Sequence, residues 1–158
     1  MPVKTGVDLV WIPLPSIVAK AYFATAERAA DMLDPMYDAV EVVQGQIEAN
    51  FDVEGRPAKW APLSEATIGL RQEAGFPGEH PILVRTGALK DAVTSASAWD
   101  IEASGQTVSA LMTDPTGYGS YHISGTIYMP IRDWSYVDDE ALDEIEQLFM
   151  EWVTQDFE

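Results

Sequence analysis

The chain has 158 residues, of which 47% are hydrophobic and 22% charged, a globular composition that fits one domain spanning residues 1–158. It has no cysteine, which excludes disulfides and thiolate metal sites and fits a reducing cytoplasm, and no apolar run reaches the length of a membrane span. Twenty-six acidic residues against nine basic ones give a net charge of −17, unsuited to gripping nucleic acid. The charge is uneven: residues 138–158 hold nine acids and no base, while Arg56, Lys59, Arg71, Arg85 and Lys90 cluster in the middle of the chain.

In chain order, residues 1–15 read as extended, with Trp11 and Ile12 ahead of Pro13 and Pro15. This stretch is either an arm that orders on a partner or a packing element on the protein's own core. Pro15 suits the opening of a helix over 16–33, and Asp34-Pro35 punctuates before a second helix. There Met36, Val40, Val43, Ile47 and Phe51 recur at helical spacing and form one apolar face, with Gly55 as terminator. Ser64 caps a short helix through Arg71, GFPGEHP is a turn, and Thr86 caps another short helix beginning near Gly87.

The period then changes to two. Val93, Trp99 and Ile101, then Val108, Ala110 and Met112 across a Ser104-Gly105 turn, predict a β-hairpin with one buried face. DPTG at 114–117 has type I turn chemistry. Ile127, Met129 and Ile131 alternate again, with Pro130 marking an edge strand. Leu142, Ile145, Leu148, Phe149, Trp152 and Val153 trace the apolar stripe of a closing helix whose acidic start, Asp138, Asp139 and Glu140, suits the helix dipole. The class is α+β: N-terminal helices, a small antiparallel sheet with a hairpin, and a C-terminal amphipathic helix.

Chemistry is sparse. His80 and His122 lack the spacing of metal ligands, and no nucleophile elbow or phosphate loop occurs. The sequence therefore points to no catalytic residue, no metal and no cofactor. The densest local specification, WAPLSEAT at 60–67, has a structural reading: Trp60, Pro62 and Leu63 anchor a loop and Ser64 caps the helix beyond it. Arg85 would pair with an acid or bind a carbonyl terminus.

Several motifs in order carry a resemblance: Phe51, WAPLSEAT at 60–67, ILVRTGALKD at 82–91, YGSYHISG at 118–125, MPIR at 129–132 and a final helix. Together they resemble the phage virion morphogenesis family, the Mu-like and tail-completion proteins of tailed phages, over about residues 40–155. The residues matching its motifs are Trp60, Pro62, Leu63, Ser64, Thr67, Arg85, Thr86, Gly87, Leu89, His122, Gly125, Pro130 and Arg132. Asp133-Trp134 stand where the family often has Pro-Phe, ISGTIY replaces a Gln- and Gly-rich segment, and the first 35 residues have no counterpart.

The resemblance implies a non-enzymatic structural protein of the virion, in the host cytoplasm during assembly and then at the neck. It would form a homo-oligomeric ring, of six copies, at the head-proximal end of the tail. Its partners would be the tail tube or tail terminator and the head connector, with no membrane partner and DNA only as cargo through the lumen. The acidic closing helix is then either a solvated face or a DNA-repelling lumen wall. Two other assembly roles, tail terminator and non-virion assembly factor, stay open, as does a small acidic hydrolase using His122 and a carboxylate.

Overall fold

The computed structural model describes residues 8–11 by their backbone, and residues 31–105 and 107–155. The helix expected over 16–33 lies almost wholly outside the described residues. Among those described, the elements run in the order β1 (Asp8–Trp11), α1 (Leu33–Asp52), α2 (Glu65–Glu73), α3 (Ala88–Val93), a 3-10 turn (Ala96–Ala98), β2 (Trp99–Ser104), β3 (Thr107–Met112), α4 (Gly119–Ser124) and α5 (Asp139–Thr154). The fold class is α+β, as the sequence implies.

The long helix α1 organises the core. Met36, Val40, Val43, Ile47 and Phe51 are all buried, and the helix packs against α5, α3, β2 and β3. The stripe forms because residues three and four apart share a helix face. The helix begins at Leu33, so Asp34-Pro35 lies inside its first turn rather than at the cap. Proline is tolerated there because the first turn has no intrahelical partner for its N–H.

Among the described residues the sheet has three antiparallel strands in the order β1-β3-β2. Its hairpin register sets Trp99 opposite Met112 and Ile101 opposite Ala110. Val108, Ala110 and Met112 point into the core while their neighbours do not. On the other edge of β3, Leu9 pairs with Ala110 and Trp11 with Val108. Residues 8–11 thus belong to the protein's own sheet, which favours the packing reading over the free arm for that part of residues 1–15.

Three local expectations are corrected. Val93 closes α3 instead of opening a strand, and the 3-10 turn separates it from the hairpin. Residues 127–131 form no edge strand. They belong to a tight turn and its exit, closed by an isolated bridge between Thr126 and Met129. The Thr126 hydroxyl accepts from the N–H groups of Tyr128 and Met129, both at 3.1 Å, so a side chain takes the donors a strand would use. Finally, the buried stripe of α5 runs through Ala141, Ile145, Phe149 and Val153, leaving Leu142 46% exposed. Asp138 caps this helix, its carboxylate accepting from Ala141 N–H at 2.9 Å.

Candidate functional site: a cleft assembled from the motif residues

The site begins where α1 ends. Gly55 adopts φ +113°, and a Cβ there would lie 2.6 Å from the Ala58 carbonyl oxygen and 2.7 Å from Trp60 N. Only glycine permits this turn, which lets Trp60 N–H donate to the Glu54 carbonyl at 2.7 Å. Trp60 meets Phe51 edge-on at 5.6 Å, and Phe51 stacks on Trp134 at 6.4 Å. The two indoles also tie chain to chain: Trp60 Nε1 donates to Asp133 O at 2.9 Å, and Trp134 Nε1 to Gly119 O at 3.0 Å. Trp134 is fully buried.

Arg132 locks the loop beyond Trp60. Its Nε donates to Ala61 O and its Nη2 to Pro62 O, each at 2.8 Å, while its backbone N–H donates to His122 O at 2.7 Å. It is only 5% exposed, and burial lowers its pKa from the ordinary arginine value. Beyond Pro62, Ser64 caps α2: its hydroxyl accepts from Thr67 N–H at 3.3 Å and lies 2.9 Å from the Thr67 hydroxyl. Arg71, near the other end of α2, donates from Nη2 to Pro81 O at 3.0 Å.

Glu54 anchors the 80–82 loop from below. Its carboxylate accepts from Ile82 N–H at 2.7 Å and lies within hydrogen-bond reach of His80 Nδ1. Burial raises its pKa, but the Ile82 hydrogen bond and His80 outweigh that and bring it below the usual glutamate value. The loop continues through Leu83 at φ +61°, a strained conformation for a leucine. Arg85 is exposed and sits over the Phe76 ring at 5.7 Å. Among the described residues it pairs with no carboxylate, so of the two expected partners, an acid or a carbonyl terminus, the acid is not found. Thr86 is also not the cap of α3. Gly87 holds that position at φ +84°, with the Thr86 hydroxyl accepting weakly from Ala88 N–H at 3.4 Å.

These segments enclose a cleft of about 460 Å³. One wall is Pro62, Leu63, Ser64, Thr67 and Arg71, and another is Leu83, Arg85, Thr86, Ala88 and Leu89. Tyr118, His122, Tyr128, Met129, Pro130 and Arg132 close it. Every motif residue named from the sequence lines this cleft except Trp60, Gly87 and Gly125, which lie behind it and shape its backbone. Gly125 has φ +68°, and a Cβ there would come within 2.9 Å of the Ile131 side chain.

His122 is half-buried, its Nδ1 makes no hydrogen bond, and Tyr118 stands edge-on to it at 6.3 Å. Burial and then the Arg132 charge lower its pKa, against a smaller upward pull from Asp114. Both Asp114 oxygens are engaged elsewhere: Oδ1 accepts from Thr116 N–H at 2.8 Å and Oδ2 from Gly119 N–H at 2.6 Å. His122 Nδ1 and Asp114 share no hydrogen bond. No group of three or more His, Asp or Glu among them is placed to hold a metal ion, and no described helix is long and apolar enough to cross a membrane.

Arg71 escapes a motif reading, because only the tertiary fold brings it to the cleft, while Leu83 and Tyr118 fall within the quoted motifs without being singled out there. Asn50 escapes it too. Fully buried on α1, it donates from Nδ2 to the carbonyls of Trp134 and Tyr136 at 2.9 and 2.7 Å. Its Oδ1 accepts from Arg56 Nε at 2.8 Å, and Arg56 Nη1 pairs with Asp138 at 3.0 Å. The one signal in the sequence is a lone amide between Ile47 and Phe51 on an otherwise apolar stripe.

Beside the cleft the turn at 126–129 projects outward, with Ile127 and Tyr128 each 89% exposed and Tyr121 and Ile131 exposed nearby. The arrangement is a rigid, hydrogen-bonded frame around a cationic cleft, flanked by an apolar projection. No known protein family, curated protein or solved structure matches the chain.

Proposed function

We propose that this chain is a structural protein of a tailed-phage virion, a neck or tail-completion component. It forms a ring, of six copies, at the head-proximal end of the tail and joins the tail to the head connector. One observation carries this reading: three motifs far apart in sequence, at 60–67, 85–89 and 122–132, converge on a single cleft. Their internal bonds fix loops and short helices at set angles, which suits assembly through preformed surfaces. The exposed Ile127 and Tyr128 beside the cleft support it, since grouped apolar side chains on a surface mark protein contacts. All the acids of α5 are on its exposed face, where six copies would build a strongly negative surface able to repel DNA in a lumen.

The test is a phage carrying a stop codon early in this gene. Electron microscopy of the lysate is expected to show filled heads and finished tails that remain apart. Joined, infectious particles at normal yield would overturn the proposal.

A further inference from the structure

Lys59 aside, the cations among the described residues divide into two sets. Arg56 pairs with Asp138, and Lys90 with Asp52 and Glu48. Arg71, Arg85 and Arg132 have no carboxylate partner among the described residues, and all three line the cleft. No carboxylate among the described residues lines it. In a chain with 26 acids, three arginines left without one in the same cleft make a local positive site. Arg71 adds a buried Nε with no hydrogen-bond partner, and the capped N-terminus of α2 contributes its dipole at Ser64 and Thr67. Leu63, Leu83, Leu89 and Met129 supply apolar lining between the charges.

The geometry points to this cleft as a socket for the acidic segment after α5, Asp156, Phe157 and Glu158, of a second copy of this chain. That segment sets an aromatic ring between two carboxylates, matching an apolar cleft with cationic walls. It cannot reach the cleft of its own chain. Helices α1 and α5 run antiparallel: Asn50 meets Tyr136 at one end and Trp152 Nε1 donates to Asp31 O at the other. The cleft lies toward the Asn50 end, where α3 is tied to α1 by Lys90 to Glu48 and Asp52. A 20-residue helix such as α1 is about 30 Å long. Three residues beyond the opposite end span about 11 Å at most. Socket and segment at opposite ends give a head-to-tail contact, the kind that repeats around a ring. For its biological setting this rests on the ring reading above.

The experiment titrates the full-length chain into a fluorescein-labelled peptide of residues 151–158 and follows anisotropy. Saturable binding is expected. It should weaken about tenfold with Arg85→Glu, and similarly when Asp156→Asn and Glu158→Gln are made in the peptide. It should also weaken as salt rises from about 50 to 300 mM. Arg85 is exposed, so a thermal melt of Arg85→Glu should match the parent. The peptide variants need no change to the protein at all. No saturable binding, or binding indifferent to Arg85→Glu, would overturn the socket. A scrambled peptide of the same composition binding equally well would overturn the second-copy assignment in favour of acidic partners in general. The outcome is independent of the phage proposal: a failed titration with the chain present at the neck would remove only the socket, and binding by a chain irrelevant to joining would remove only the neck reading.

Discussion

Replacing Arg132 with Met should cost about 2–3 kcal/mol of stability. The guanidinium makes two 2.8 Å hydrogen bonds, to the Ala61 and Pro62 carbonyls. Hydrogen bonds from a charged donor are worth roughly 1.5–3 kcal/mol each, so the gross loss is about 3–6. Methionine fills much of the stem's space, the desolvation of a buried cation is relieved, and the freed carbonyls can hydrate from the cleft. These offsets bring the net to about half. For a chain of this size the melting temperature should fall by roughly 5–10 °C. Urea denaturation followed by tryptophan fluorescence would read the change, with the slope unaltered if the unfolded state is untouched. Arg132→Lys should recover only part, because one ammonium cannot reproduce the planar fork. Arg85→Met, on the same cleft but exposed, should stay within about 0.5 kcal/mol. If Arg132→Met costs no more than Arg85→Met, the argument that Arg132 is a clamp for the 60–63 loop is wrong.

Other perturbations separate frame from surface. Gly55→Ala should destabilise by more than about 3 kcal/mol or prevent folding, since its Cβ would strike backbone at 2.6 Å at φ +113°; the melting temperature checks this. Stability should fall as pH drops below about 6.5, because His122 has a depressed pKa in the folded state and the unfolded chain takes up the proton first. The loss should level off once pH passes the folded pKa, and His122→Gln should flatten that part of a urea-midpoint-against-pH profile. Ile127→Ser with Tyr128→Ser should leave the melt within about 0.5 kcal/mol of the parent, both being 89% exposed, yet lower the yield of joined particles in a complementation assay. Reversing Glu144, Glu146 and Glu151 to Lys should slow DNA ejection in a potassium-release assay if the acidic face lines a lumen; unchanged ejection would place that face outward.

Local signals are legible because their causes are local. The α1 stripe, the Ser64 cap and the Ser104-Gly105 hairpin each depend on residues within a turn or two of one another, and all three stand in the structure. The same logic fails at 127–131, where alternating apolar residues imitate a strand. Periodicity cannot tell a buried face from an exposed turn, and here the Thr126 hydroxyl decides between them. It also misplaces Leu142, whose spacing fits the α5 stripe but whose side chain faces solvent. The motif residues can be named from the sequence, but their convergence cannot. It depends on Arg132 reaching back to Ala61 and Pro62, and on Asn50 holding the carbonyls of Trp134 and Tyr136. Such long-range bonds leave no mark in spacing. Trp134 shows a related limit: nothing in its spacing marks it as a core residue, yet it is fully buried.

The central claim, that this chain is joinery at the neck of a phage particle, is tested most directly by locating it in purified virions. An affinity-tagged copy supplied in complementation, labelled with nanogold and viewed by electron microscopy, should place gold at the junction of head and tail. Quantitative mass spectrometry of the same particles should give about six copies in each. Particles that join and infect normally while carrying no label, or label confined to another part of the virion, would contradict the account.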